Sequence, residues 1–296
     1  MARLDLELVN RGLARSRTHA AKLIADGHVS VGGQMAAKAA QPVSADEPIE
    51  IEASEHDRYA SRAGRKLAGA LARFPEIAPE GLRCLDAGAS TGGFTDVLLE
   101  SGAARVVAVD VGHGQLVERL RADPRVDVYE GLNVRNLVPE SIGGPVQLTV
   151  ADLSFISLTL VVGPLGAATA PGGDLLLMVK PQFEVGRERL AKTGVVRSSM
   201  ERQRAVAGVA RAALDAGLLL RGLAESPLPG QDGNVEYFLW LTRPLPEGTA
   251  GRHETGRGVD ELLAPVWPEA ARPEAAWPEA ARPEPVRSEA RGRETR

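Results

Sequence analysis

Apolar residues recur at helical spacing at the start of the chain, at Leu4, Leu8, Val9 and Leu13, and Gly12 stands where that helix is expected to end. Ser16 is placed to cap a second helix running to Asp26, with Ala20, Leu23 and Ile24 on one face and Gly27 as its stop. The period then shortens. Residues 28–31 read as a strand followed by a Gly32-Gly33 turn, and residues 48–52 as a returning strand. Residues 1–52 are therefore predicted to be a small α+β unit, joined by the polar stretch 53–60 to a larger one. From 61 to 243 strands and helices alternate. Strands are predicted at 83–87, 105–110, 126–130, 146–152, 174–180, 218–225 and 235–242, and helices at 62–74, 92–101, 115–122, 158–169 and 199–217. Runs such as Val106-Val107-Ala108-Val109 are apolar at consecutive positions, as a parallel strand covered on both faces requires. The alternation predicts a doubly wound α/β domain.

From residue 244 the periodicity gives way to proline and charge. Eight prolines and ten acids share the last 53 positions with eight arginines, and Trp-Pro-Glu-Ala-Ala-Arg-Pro-Glu occurs at 267–274 and again at 277–284. Such a composition cannot bury enough apolar surface to order itself, so 244–296 is expected to be a disordered tail, with Trp267 and Trp277 in a duplicated low-complexity segment.

Composition narrows the class. Aromatics are 4% of the chain, so the core must be built from Ala, Val and Leu. A net charge of −4 excludes a globally basic protein and confines any RNA contact to local patches. One such patch is available: residues 1–40 hold six Lys/Arg (Arg3, Arg11, Arg15, Arg17, Lys22, Lys38) against three acids. Charge alone leaves it open between a solvated face and a phosphate-binding one. Cys84, the single cysteine, excludes an internal disulfide and reads as a small core residue in a reducing compartment. The N-terminus lacks the apolar region of a signal peptide, and no apolar run approaches the roughly 18 residues of a membrane span, so a soluble cytoplasmic protein is expected. His19, His28, His56, His113 and His253 have no ligand spacing, so no metal is expected.

Candidate chemistry begins at the turn Leu85-Asp86-Ala87-Gly88-Ala89-Ser90-Thr91-Gly92-Gly93-Phe94, which follows one strand and opens a helix. The dinucleotide fingerprint is G-x-G-x-x-G; here the spacing is G-x-x-x-G-G, with Asp86 two residues before the first glycine. A ligand without a pyrophosphate suits it, with the helix-end amides and Ser90 holding an amino-acid moiety. Asp110 closes the second strand about 20 residues on, where a carboxylate binds ribose hydroxyls. The turn reads as a site for S-adenosylmethionine. Three further charged residues fall at the carboxyl edge of the predicted sheet, where open α/β folds bind ligands: Asp152 ends the fourth strand, Lys180 ends the fifth, and Glu236 begins the last. Lys66 lies in the helix before the first strand. Each charge alone reads as structural; the four together form a candidate catalytic set.

These residues resemble the lysine–aspartate–lysine–glutamate tetrad of the FtsJ-type ribose 2′-O-methyltransferases. The chain as a whole is similar to the hemolysin A (TlyA) family, through Arg-Leu-Asp at 3–5, Ser-Arg at 16–17, Gly-His-Val-Ser-Val at 27–31, Ser-Arg-Ala-Gly-Arg-Lys-Leu at 61–67, the turn at 86–96, Asp-Val-Gly-His-Gly-Gln-Leu at 110–116, Asp-Leu-Ser-Phe-Ile-Ser-Leu at 152–158, Lys-Pro-Gln-Phe-Glu at 180–184, Gly-Val-Val-Arg at 194–197 and Gly-Asn-Val-Glu at 233–236. The resemblance covers residues 3 to about 242. It implies a seven-stranded class I methyltransferase sheet behind an S4-type RNA-binding domain, S-adenosylmethionine as cofactor, and a cytidine 2′-hydroxyl of ribosomal RNA as acceptor. On it, Lys66, Asp152, Lys180 and Glu236 are catalytic. Asp86, Gly88, Ser90, Gly92, Gly93, Phe94, Asp110, Asp152 and Phe155 bind the donor. Arg3, Arg11, Arg15, Arg17, Lys22, Arg62 and Arg65 bind RNA. Lys180 is expected to receive the hydroxyl proton or offset its loss, Lys66 to orient the nucleophile, and the two acids to hold the lysines. A membrane-active hemolysin and a catalytically silent ribosome assembly factor are the competing readings.

Overall fold

The computed structural model describes residues 2–14, 16–25, 27–44, 46–51, 58–186, 190, 193–246 and 256–268. The N-terminal unit comprises β1 (Ala2–Arg3), α1 (Leu4–Asn10), α2 (Arg17–Ala25), β2 (Val29–Val31), β3 (Gln34–Met35), β4 (Pro42–Val43) and β5 (Ile49–Ile51). Strand β2 is central to a three-stranded antiparallel sheet, while β1 pairs with β4. Leu4, Leu8, Ala20, Leu23, Ile24, Val29 and Val31 form its core, the residues whose spacing predicts the elements.

The larger unit runs α3 (Arg62–Arg73), β6 (Arg83–Ala87), α4 (Gly93–Glu100), β7 (Arg105–Asp110), α5 (Glu118–Arg121), β8 (Val126–Glu130), β9 (Val146–Ala151), α6 (Val162–Ala168), β10 (Thr169–Val179), α7 (Pro181–Glu184), α8 (Ser199–Asp215), β11 (Leu219–Glu225) and β12 (Tyr237–Thr242). Its seven strands lie in the order β11-β12-β10-β9-β6-β7-β8, with β12 antiparallel to both neighbours. The strands are apolar on both faces. Leu85, Val107, Leu175 and Leu177 pack under α6 and α8, and Cys84, Val106, Leu176 and Met178 pack under α3, α4 and α5. The buried Cys84 thiol is pushed up to about 12 by desolvation, which makes it inert. The chain reverses its direction of travel across the sheet between β6 and β9, and that opens a crevice at their carboxyl ends.

Two predicted boundaries are corrected. The connection expected at 53–60 ends earlier: Tyr59 and Ala60 are buried against the larger unit, and the Ala60 amide donates to Asp96 Oδ2 at 2.6 Å. The tail expected from 244 contains a further helix, α9 (Val259–Leu263). Leu262, Leu263 and Trp267 belong to the main core, with Val259 and Val266 packed against it. Their i, i+3, i+4, i+7, i+8 spacing is an amphipathic pattern that a compositional reading averages away. Residues 269–296, Trp277 among them, lie outside the described residues.

Candidate active site

The turn after β6 is built by backbone conformation. Gly88 (φ +87°) lies so close to the end of β9 that a Cβ there would stand 2.7 Å from the Asp152 carbonyl, so only glycine lets the two strand ends meet. Ser90 also adopts a left-handed conformation, at φ +47°. Asp110 fixes it: Oδ2 accepts from the Ser90 amide at 2.8 Å and Oδ1 from the Gly112 amide at 2.7 Å. On one side of the turn is a cavity of about 200 Å³, whose walls include Ser61, Gly88, Ser90, Gly93, Phe94, Asp152, Ser154 and Lys180. On the other is a narrow cleft bordered by Asp110, Gln115 and Glu130. Both share Ala89 and Ser90, which suits an elongated ligand draped over the turn.

Asp86 and Gly92 border neither cavity. Asp86 is fully buried beneath the turn, where Thr95 Oγ1 donates to its Oδ2 at 2.7 Å and its Oδ1 has no partner. Burial pushes its carboxyl up to about 7, partly opposed by the Thr95 hydrogen bond. Gly92 (φ +99°) caps α4 and is packed under Leu116 and Leu120.

The four charged residues form two ion pairs. Lys180, one residue past β10, places Nζ 2.6 Å from Asp152 Oδ1 and donates to Ser154 Oγ at 2.9 Å. This pair lines the cavity. Lys66 Nζ contacts Glu236 Oε2 at 2.5 Å, and their side chains are only 8% and 3% exposed. The second pair therefore sits behind the cavity wall. It touches the same strand end, through Met178 Sδ at 4.0 Å from Lys66 Nζ and a long hydrogen bond from Gln182 Nε2 to Glu236 Oε1 at 3.4 Å.

Phe155 borders neither cavity. Expected beside the donor, it is 92% exposed, at a φ of +62° that bulky residues rarely adopt. Its ring lies 5.2 Å from that of Phe183, and Lys180 Nζ lies 5.9 Å from the Phe183 ring. Glu184 ties down the far end of this loop, accepting from Ser157 Oγ at 2.5 Å and the Leu158 amide at 2.8 Å.

The N-terminal arginines divide. Arg3 and Arg17 both grip Asp5, at 2.9 and 3.1 Å, yet remain 48% and 59% exposed. The Arg3 hydrogen bond, with Arg17, holds the Asp5 carboxyl far below the usual carboxylate range. Arg11 is turned inward, onto Glu7 at 2.8 Å and the carbonyls of Glu47 and Ser44 at 2.7 and 3.0 Å, so its guanidinium serves the fold. Arg15 and the side chain of Lys22 lie outside the described residues. On α3, Arg62 is exposed and donates to the Pro229 carbonyl at 2.7 Å, while Arg65 is half-buried.

Several lining residues escape the sequence reading. Glu130 stands in register with Asp110 on the neighbouring strand, so the strand-end logic that finds one also finds the other. Ser61, Ser154 and Gln115 carry no such signal. Among the described residues no His/Cys/Asp/Glu group could hold a metal ion, and no helix is long and apolar enough to cross a membrane.

Comparison with known proteins matches this architecture. The FtsJ-like methyltransferase family model fits residues 59–243, and the S4 domain model fits residues 2–49. The chain is 53% identical over 240 residues to the 16S/23S rRNA (cytidine-2′-O)-methyltransferase TlyA of Mycobacterium tuberculosis, spanning 81% of this chain and 89% of that protein. It is 36% identical over 237 residues to Hemolysin A of Brachyspira hyodysenteriae, spanning 80% and 98%. A solved hemolysin-named structure from Streptococcus thermophilus aligns at a TM-score of 0.65 and 35% identity, covering 90% of this chain and 96% of that one.

Proposed function

The chain belongs to the FtsJ-like methyltransferase family, with an S4 domain ahead of the catalytic unit, and we propose from that premise that it methylates a cytidine ribose 2′-hydroxyl in ribosomal RNA, using S-adenosylmethionine. The observation that carries this reading is the Lys180–Asp152 pair on the wall of the cavity beside the glycine turn. The residues present fit the donor. Asp110 and Glu130 stand at the cleft suited to an adenosine, and the amides of the turn border the cavity suited to the amino-acid end. When bound, the donor supplies a methyl group on a positively charged sulfur.

The protein's share of the work is placement and charge. Lys180, fixed by Asp152 and Ser154, faces the space where an acceptor hydroxyl would enter, and stabilises negative charge developing on its oxygen. The Lys180 ammonium passes one proton to the Asp152 carboxylate as it takes up the hydroxyl's, and Asp152 then releases that proton to solvent. Lys66 and Glu236 form a fixed dipole behind the wall and brace the strand ends that carry Lys180. Aligning the two reactants can contribute on the order of 7–11 kcal/mol. Exposed Phe155, beside Phe183, offers a stacking face for the target base, the usual way a protein holds an unstacked nucleotide. Arg3, Arg17 and Arg62 remain at the surface to meet phosphates.

The test is to incubate the protein and donor with isolated ribosomal subunits and map 2′-O-methyl groups by primer extension at low nucleotide. A stop at a cytidine that appears only with donor supports the reading; methyl label confined to bases refutes it.

A further inference from the structure

The C-terminal segment reaches the strand pair that carries the site. Trp267 is 4% exposed. Its ring packs on Tyr237 with centroids 5.0 Å apart and planes inclined at 44°, and its Nε1 donates to Ser199 Oγ at 2.9 Å. The Tyr237 hydroxyl accepts from Arg202 Nε at 3.2 Å, and Arg202 Nη1 donates to the carbonyls of Val196 and Arg197 at 3.2 and 2.9 Å. Asn234, 2% exposed, closes the same corner: its Nδ2 donates to the Gly194 carbonyl at 3.0 Å, and its Oδ1 accepts from the Val196 amide at 2.9 Å.

Tyr237 is where this network meets the chemistry. It directly follows Glu236, and it pairs in register with Val179, the residue before Lys180. Its seating therefore sets where both Glu236 and Lys180 leave the sheet. Neighbouring side chains at a strand point to opposite faces. Glu236 meets Lys66 of α3 on one face, while Tyr237 enters the opposite layer, against Trp267.

We propose that Trp267 is a positioning residue for methyl transfer, and that residues 256–268 are a strap which, through Tyr237, keeps Glu236 on Lys66 and Lys180 on Asp152. The inference rests on the reading of those four residues as the transfer machinery. Trp267 borders neither cavity at the glycine turn, so the strap governs turnover and leaves donor affinity alone. Stacking on Tyr237 needs a ring, so phenylalanine restores what alanine or leucine loses.

The experiment compares the full chain with Trp267→Ala, Trp267→Leu, Trp267→Phe, Glu236→Gln and a chain ending at residue 268. It measures donor dissociation by calorimetry, and kcat and KM with ribosomal subunits. Misplacement of reacting groups by about an ångström can cost roughly 10²-fold, so Trp267→Ala is expected to lower kcat by at least about tenfold with donor affinity within about twofold of wild type. Trp267→Leu, whose apolar bulk protects the fold, shows the same defect. Trp267→Phe recovers to within about threefold, and the chain ending at 268 turns over normally. The proposal is overturned if kcat survives in both the alanine and leucine variants, or if donor affinity falls in step with kcat. Normal turnover by Glu236→Gln would instead sink the tetrad reading, a separate failure.

Discussion

The N-terminal unit and the edge of the catalytic sheet both set basic side chains against carboxylates, to different ends. Arg3 and Arg17 share the buried carboxylate of Asp5 while their own guanidinium groups stay in water. Lys66 and Glu236 are sealed from solvent, and Lys180 and Asp152 nearly so. A guanidinium at the surface is screened by salt, and where two share one carboxylate either can leave it to the other and turn to a phosphate. A buried pair must stay together, because either partner alone would be an uncompensated charge in a poor solvent. Surface arginines can therefore recognise a polyanion, whereas buried pairs hold a geometry.

That contrast is strained most severely by stranding a buried charge. Lys66→Met leaves Glu236 without its cation and should cost about 3–5 kcal/mol of stability by urea unfolding, while adding Glu236→Leu should recover most of that without restoring methyl transfer. An equal loss in the single and double variants would mean that the pair's packing matters more than its charge.

Asp86 is the limiting case, a buried carboxyl with no cation. Its folded value of about 7 lies above the ordinary 3.8. The folded chain therefore keeps a proton that the unfolded chain gives up between those values. The resulting stabilisation is complete below about pH 4 and is lost as pH rises through 7, an effect on the order of 4 kcal/mol. Asp86→Asn should flatten that slope, measured by urea unfolding at pH 5 and pH 8. An unchanged slope would assign the pH dependence to other groups.

The smallest effect on folding is expected at the exposed arginines. Replacing either Arg3 or Arg17 with glutamine leaves Asp5 the other guanidinium, so each single change should barely move the unfolding midpoint, and should reduce the salt slope of RNA binding by roughly 0.7–0.9 for each phosphate no longer neutralised. Arg11→Ala should do the reverse, weakening the N-terminal unit with the salt slope intact. If all three behave alike, the distinction between recognition and structure fails there.

What was legible in the sequence depended on how local the signal was. The turn at 86–94 and the strand ends at Asp110, Asp152 and Lys180 each announce themselves within a few residues, by glycine spacing or by a charge closing an apolar run. The Lys66–Glu236 pair joins residues 170 positions apart, so the sequence could name both but not show that they are sealed behind the wall. Phe155, expected beside the donor, stands outside both cavities on a left-handed backbone that nothing nearby in the sequence marks. Arg11 misleads because its acceptors include two backbone carbonyls, invisible to a charge count. The residues around Trp267 were obscured by the prolines and charges on either side, although their apolar spacing was present all along.

The turn binds the donor, on this reading, while the lysine at the sheet edge drives transfer. Donor affinity and single-turnover methylation of ribosomal RNA, measured side by side on Lys180→Ala, separate the two roles. Donor binding should stay within a few-fold of wild type while the transfer rate falls by on the order of 10²–10⁴-fold. Transfer at a near-normal rate, or donor binding abolished along with it, would contradict that division of labour.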